Sequence, residues 1–313
     1  MNKITLFRID GENAKEIAAT ASDLEKPLQR LIEKNLEPLL SVRFLATEYS
    51  TGKTHAGRID TLGIDENHCP VILEYKRSSG ENVINQGLFY LDWLMDHRAE
   101  FKLLVLDAFG KAAADEIDWA APRLICIAAD FTKYDAHAVQ QINRGIELFR
   151  YRQFGPELLL LELTNAVSPK TPPAITAVTA KGAKAAKASK DVGDQTVMDW
   201  FAEYPLATRD LFDSLESFIT SLGDDVQRKD LKLYVAFKRI KNFASVVPQK
   251  DRLLLMLHLN PDKHRLTAGF TRDVRKIGHW GTGDLEVSLK SLGDLEKAKT
   301  LIQQAYRGET LLV

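Results

Sequence analysis

Residues 57–77, GRIDTLGIDENHCPVILEYKR, decide the reading of this chain. Two runs rich in β-branched and aliphatic residues, Gly57–Ile64 and Pro70–Arg77, flank a short polar turn, which is the pattern of a β-hairpin. With the turn centred on Asn67, Asp60 falls across from Glu74 and Arg58 across from Lys76. Side chains alternate faces along a strand, so Glu74 and Lys76 share a face, and Asp60 joins them. The residues around them, Ile59, Leu62, Ile72 and Leu73, are apolar. Two carboxylates held this close repel unless a cation or a proton lies between them. A hard divalent ion, Mg²⁺ or Mn²⁺, answers that need, with Asp60, Glu74 and the Tyr75 carbonyl as oxygen ligands. Such an ion activates water, and Lys76 on the same face would orient that water or stabilise charge developing on a phosphate. The chemistry predicted is phosphodiester hydrolysis. The plainer alternative makes Glu74 and Lys76 polar-face residues of an edge strand, but a strand this apolar reads as central.

Outward from the hairpin the pattern is α/β. Leu24, Leu28, Leu31, Ile32 and Leu36 recur at helical spacing after Ser22-Asp23-Leu24-Glu25, a capping-box start. A strand at Ser41–Tyr49 follows, then the hairpin, then a helix at Asn82–His97. Phe101–Ile117 reads as a helix, Arg123–Ala129 as a buried strand, Asp135–Asn143 as a helix, and Ile146–Arg152 and Glu157–Leu163 as strands. Gln86 and Tyr90 lie one helical turn apart and face the same way. Ser50-Thr51-Gly52-Lys53-Thr54 lacks the first glycine of a P-loop and follows a strand without opening a helix, so it is read instead as a basic loop, with Lys53 beside the hairpin.

As a set, Arg58-Ile59-Asp60 followed by Glu74-Tyr75-Lys76 resembles the signature of the PD-(D/E)XK nucleases. Gln86-Gly87-Leu88-Phe89-Tyr90 is similar to the QxxxY element of their RecB-like members. Leu24 to Tyr90 resembles more narrowly the catalytic domain of NucS-type endonucleases, with Glu25 in the place of a helix glutamate and Gly57–Asp60 in that of a GxxD strand. The resemblance covers about the first half of the chain and implies a restriction-endonuclease-like core, αβββαβ, with a mixed sheet flanked by helices. It implies catalytic and metal roles for Glu25, Asp60, Glu74 and Lys76, with Gln86 accessory. Glu25 also serves as the capping-box partner of Ser22, and the two roles are compatible. Ile59 stands where the superfamily usually has proline, and the domain order differs from NucS-type proteins, so their mismatch-specific substrate does not carry over. DNA is the expected partner, with RNA not excluded. Lys53, Arg58, Arg77 and Tyr90 are candidate contacts to it. Many such nucleases act as dimers, but no interface can be read from this sequence.

The bulk properties agree with an enzyme that has a local nucleic-acid site. The chain has 313 residues, 45% hydrophobic and 27% charged, with net charge −1, so no global basic field draws it to DNA. Two cysteines, Cys69 and Cys126, without CxxC pairing, make a zinc knuckle or disulfide framework improbable. The beginning has no signal-peptide pattern and no run is long enough for a bilayer, which predicts a cytoplasmic protein. Residues 1–166 are read as the nuclease-like domain and 167–196, rich in Ala, Lys, Pro and Thr, as a tether. The lysines of that tether serve solubility or loose phosphate contact.

Residues 197–313 read as a small α+β domain. It has a helix at Thr208–Leu222, strands at Leu231–Ile240, Phe243–Val247 and Arg252–Asn260, and a closing helix at Leu292–Tyr306. It resembles a small domain of unknown function found behind nuclease-like domains. Lys238, Arg239 and Lys241 stand among aromatic residues, either as nucleic-acid contacts or as the solvated face of a strand. Gly278–Asp284 is an anion-binding nest or simply a glycine turn. The leading reading is a metal-dependent DNA endonuclease of repair or of defence against foreign DNA. The competing one is a non-catalytic nucleic-acid or protein-binding module on a nuclease fold.

Overall fold

A computed structural model describes residues 4–20, 25–52, 56–76, 83–167 and 195–308. Its contacts divide the chain into two units, Met1–Ile117 with Pro122–Val167, and Asp118–Ala121 with Ser168–Val313. Most of the expected tether lies outside the described residues.

In the first unit, helices α1 (Glu25–Lys34) and α2 (Leu36–Leu40) lead into β4 (Val42–Ser50), β5 (Arg58–Asp65) and β6 (Pro70–Lys76). Helices α3 (Val83–Asp96) and α4 (Arg98–Asp115) then lead to β7 (Arg123–Ala128), α5 (Lys133–Gln140), β8 (Gly145–Phe154) and β9 (Leu158–Val167). β4, β5 and β6 form an antiparallel meander, and β6, β7 and β8 run parallel. Helices follow β6 and β7 because parallel neighbours need a crossover connection. This is the αβββαβ mixed sheet with flanking helices of the restriction-endonuclease-like core, and β9 extends it along β8. β6 and β7 are apolar and almost wholly buried because strands lie on both their edges and helices pack on the sheet.

The hairpin pairs Thr61 with Leu73, Leu62 with Ile72, Gly63 with Val71 and Ile64 with Pro70, which centres it on Asn67. The turn is stiffened by Asp65, whose Oδ1 accepts the N–H groups of Asn67 and Cys69, each at 2.9 Å. Asp65 is itself held by buried Arg123, which also forms a two-pronged pair with Glu147 at 2.7 and 2.8 Å.

Ahead of α1 stand three strands that the sequence reading does not place. β1 (Leu6–Asp10) and β2 (Asn13–Ile17) form a hairpin around Gly11-Glu12, and β3 (Ala19–Thr20) pairs with the end of β8.

The second unit is α+β. α6 (Val197–Phe201), α7 (Leu206–Thr220) and α8 (Leu292–Arg307) accompany an antiparallel sheet. Its strands are β10 (Gln227–Asp230), β11 (Val235–Lys238), β12 (Asn242–Pro248), β13 (Leu253–Leu257), β14 (Thr271–Asp273) and β15 (Leu285–Leu289), in the order β10-β11-β12-β13-β15-β14. Leu253, Leu255, Leu257, Leu285, Val287 and Leu289 share one core with Leu211, Phe212, Leu215, Leu295 and Ile302 of the helices. The expected strand Leu231–Ile240 is corrected here. Residues 231–234 form a turn, closed by the Leu231 N–H donating to the Tyr234 carbonyl at 3.0 Å. Leu231 and Tyr234 are buried from within that turn, so its apolar composition hid it.

Candidate active site

Asp60 and Glu74 stand one step beyond the last paired residues of the β5–β6 ladder, and their side chains continue the hydrogen bonding. The Asp60 N–H donates to Glu74 Oε1 at 3.2 Å, and the Tyr75 N–H donates to Asp60 Oδ2 at 3.0 Å. Two carboxylates have thus replaced carbonyls as acceptors where the strands part. Glu74 is fully buried beside Cys126, its neighbour on β7. Its Oε2 has no hydrogen-bond partner. Burial first, and then the adjacent Asp60 charge, push the Glu74 carboxyl up to about 9, against a weaker opposing pull from Lys76. The same burial and the Glu74 charge raise the Cys126 thiol. Without a cation between the two carboxylates, this keeps a proton on Glu74 at neutral pH.

Lys76 lies at the partly exposed end of β6 on the Glu74 face. The opposite face carries Tyr75, whose hydroxyl lies 3.3 Å from Thr61 Oγ1. Thr61 in turn donates to Glu33 Oε1 at 2.7 Å. Gln29, a turn earlier on α1, donates to the Asp60 carbonyl at 2.8 Å and lies within reach of Glu33 and Thr47. Gln29 and Glu33 thus fasten α1 to the strand that bears Asp60, and the sequence reading missed both. Their spacing from Glu25, four and eight residues on, is the signal that was there to find. Glu25 is the first residue of α1, and its side chain is outside those described.

α3 grips the first residue of β5. The Arg58 N–H donates to the Tyr90 hydroxyl at 3.2 Å, and Gln86 Nε2 donates to the same hydroxyl at 3.4 Å. Gln86 and Tyr90 therefore act together, two residues from Asp60. Gly57 is required by this clip, since a Cβ there would come within 2.6 Å of the Tyr90 ring. Gly57→Ala should cost on the order of 1–3 kcal/mol by overpacking, read as a lower urea midpoint. Tyr90→Ala added to it should cost much less than it does alone. A Gly57→Ala chain with the parent's midpoint would mean the clip is absent.

Arg58 is exposed and paired with Glu48 at 3.3 Å. Lys53 and Arg77 lie outside the described residues. In the second unit the structure does not gather the expected basic residues on one open face. Lys238 is 1% exposed. Arg239 pairs with Asp225 and lies over the Tyr306 ring. Lys241 is exposed.

Among the described residues no three His, Cys, Asp or Glu side chains cluster to hold a metal ion. A Mg²⁺-like ion does not demand that. It is commonly held by one or two carboxylates, with waters and substrate phosphate filling the remaining positions. The orphaned Glu74 Oε2 beside Asp60 fits such an ion.

The core of the first unit is thus nuclease-like in architecture, with a paired-carboxylate site at the open end of its hairpin. Comparison with known proteins adds three findings. Residues 197–308 match a family described as a domain of unknown function, DUF5655. An uncharacterized protein of Haemophilus influenzae is 29% identical over 287 residues, covering 91% of this chain and 93% of that one. Two solved structures are also similar. A repair endonuclease from Pyrococcus abyssi is 18% identical with a TM-score of 0.28, over 42% of this chain and 49% of that one. The EndoMS–dsDNA2 complex is 21% identical with a TM-score of 0.24, over 45% and 49%. The chain spans about half the length of each of these two, and likeness at this level leaves the chemistry to the site's own geometry. Among the described residues no helix is long and apolar enough to cross a membrane.

Proposed function

We propose that this chain is a divalent-metal-dependent DNA endonuclease that hydrolyses phosphodiester bonds, acting in DNA repair or in defence against foreign DNA. One observation carries the reading: Asp60 and a fully buried, half-unpartnered Glu74 meet where the hairpin strands part, with Lys76 on the same face. A fold gains nothing from burying a second carboxylate against a first, so the pair is suited to a ligand that brings positive charge. Asp60, Glu74 and the Tyr75 carbonyl would hold Mg²⁺ or Mn²⁺. When bound, such an ion supplies Lewis-acid activation of water and phosphate.

The chain's own groups do the rest. Lys76 places its ammonium beside the carboxylates, where it offsets the charge that builds on a phosphate under attack. Gln29 and Glu33 hold the backbone of Asp60 and the side chain of Thr61 from α1, and Gln86 and Tyr90 hold the strand at Arg58 from α3. Glu25, at the start of α1, is the further acidic group assigned to the site. Arg58, exposed two residues before Asp60, is placed to meet a phosphate of the substrate backbone.

The test is cleavage of labelled single-stranded, duplex, mismatched and branched DNA with Mg²⁺ or Mn²⁺. Cutting that needs the metal and disappears in Asp60→Ala, with an unchanged circular dichroism spectrum, is the expected result. Cutting that survives in Asp60→Ala ends the assignment. Failure to cut any substrate would favour a binding module on a nuclease fold.

A further inference from the structure

Residues 274–284 of the second unit, VRKIGHWGTGD, form a closed loop between β14 and β15. Its ends are joined by the Val274 N–H donating to the Asp284 carbonyl at 3.0 Å, and the Asp284 N–H donates to the Leu257 carbonyl at 3.1 Å. The His279 ring lies inside, with Nδ1 2.9 Å from the Ile277 carbonyl oxygen and Nε2 3.1 Å from that of Gly283. The Thr282 N–H donates to Ser245 Oγ at 3.1 Å, and Asn242 Nδ2 donates to Thr282 Oγ1 at 3.0 Å. Gly283, at φ 121°, presses so close that a Cβ would lie 2.7 Å from the Leu257 backbone. The loop is therefore bolted to β12 and β13.

This rigid loop holds Trp280 58% exposed, beside Ile277 at 43%. A tryptophan held in water by a stiff loop does nothing for the core and loses little conformational freedom on meeting a flat partner. Of the five Lys and Arg between residues 261 and 284, Arg272 pairs with Glu286 at 2.7 Å and Arg275 is held by aspartates. Arg275 bridges Asp262 and Asp273, each at 2.7 Å, which ties the loop to the 261–266 segment. Lys276, in the loop, and Arg265, in the tied segment, are exposed.

We infer that this loop is a stacking platform for single-stranded nucleic acid: Trp280 takes an unpaired base, and Lys276 and Arg265 meet the flanking phosphates. A flat exposed aromatic face on a loop that also exposes Lys276, with Arg265 exposed in the segment tied to it, suits a polyanion whose bases are open. A base inside a duplex has no free face to offer it. The loop belongs to the second unit and the Asp60–Glu74 pair to the first, and the assignment stands whether or not the chain cleaves DNA.

The full chain is titrated in EDTA at low salt against a fluorescein-labelled oligo(dT) and against a duplex of equal length, with anisotropy as the readout. Tighter binding of the single strand is expected. Trp280→Ala should weaken that binding at least fivefold with the duplex affinity unchanged, whereas Trp280→Phe keeps most of it. Lys276→Glu should also weaken it and flatten its salt dependence, which serves as the deciding variant if Trp280→Ala lowers the thermal midpoint. A wild-type chain that does not bind oligo(dT), a Trp280→Ala chain that binds as the parent does, or equal loss on both substrates would overturn the assignment.

Discussion

Glu74→Gln should abolish metal-dependent cleavage and at the same time make the protein more stable at neutral pH. The two effects have one cause. Glu74 is buried against Asp60, and its carboxyl is pushed up from an ordinary 4.5 to about 9. Between those two values the native chain keeps a proton that the unfolded chain has released. Stability therefore falls as pH rises through that window, by about 1.4 kcal/mol per pH unit. By pH 7 the cost is about 3 kcal/mol. Below pH 4 both states are protonated and the cost is gone; above 9 it is complete. Glutamine keeps the shape, has no proton to lose, and should escape the cost. The variant-minus-parent difference in urea unfolding should thus be small at pH 4 and grow towards pH 9. A difference that stays flat across that range would mean that Glu74 is not held neutral by its site.

Divalent metal should reverse the comparison. An ion bound between Asp60 and Glu74 would displace the Glu74 proton and supply a countercharge. It should raise the parent's thermal midpoint, with about 2.7 kcal/mol of stabilisation at a hundredfold excess over Kd. Glu74→Gln should show no such gain. An enzyme's charged site commonly costs stability in this way. The measurement also separates the metal from the cleavage reaction, because it needs no substrate.

How much of this was legible in the sequence depended on how local each interaction is. The β5–β6 register was legible because the polar turn around Asn67 and the apolar runs on either side admit one alternation, and Asp60 and Glu74 came with it. β7 was legible as a buried strand because Arg123–Ala128 is continuously apolar after its first residue. Gln29 and Glu33 were not, because their partners are the Asp60 carbonyl and the Thr61 hydroxyl, groups that carry no pattern in a sequence. The β1–β2 hairpin had its Asp10-Gly11 turn signal, yet its strands carry Arg8, Lys15 and Glu16 and are largely exposed, so hydrophobic alternation did not mark them. Lys238 read as a surface residue by type, and only the sheet around it shows it buried. The partnership of Arg123 with Glu147 and Asp65 joins residues 24 and 58 positions apart. It needs knowledge of which strands are neighbours.

That last partnership carries the second large effect. Arg123→Met should destabilise the fold by roughly 3–5 kcal/mol, because it leaves Asp65 and Glu147 buried together with no cation. Burial opposes the guanidinium's charge, but Glu147 and Asp65 outweigh it and hold Arg123 firmly protonated. Removing one of the two stranded charges as well, in Arg123→Met with Glu147→Met, should recover part of the loss, since an apolar pair of similar volume is often as stable as a buried ion pair. Asp65 is left in place because its other oxygen holds the Asn67 and Cys69 N–H groups that fix the turn. The turn sets the register, and a one-residue slip would send Asp60 and Glu74 to opposite faces. The double variant should therefore unfold between Arg123→Met and the parent in urea and still gain stability from Mn²⁺. A double variant that recovers stability but no longer responds to the metal would mean that Arg123 places the carboxylate pair as well as supporting the fold. One as unstable as Arg123→Met alone would mean that the Glu147 charge is not what the arginine offsets.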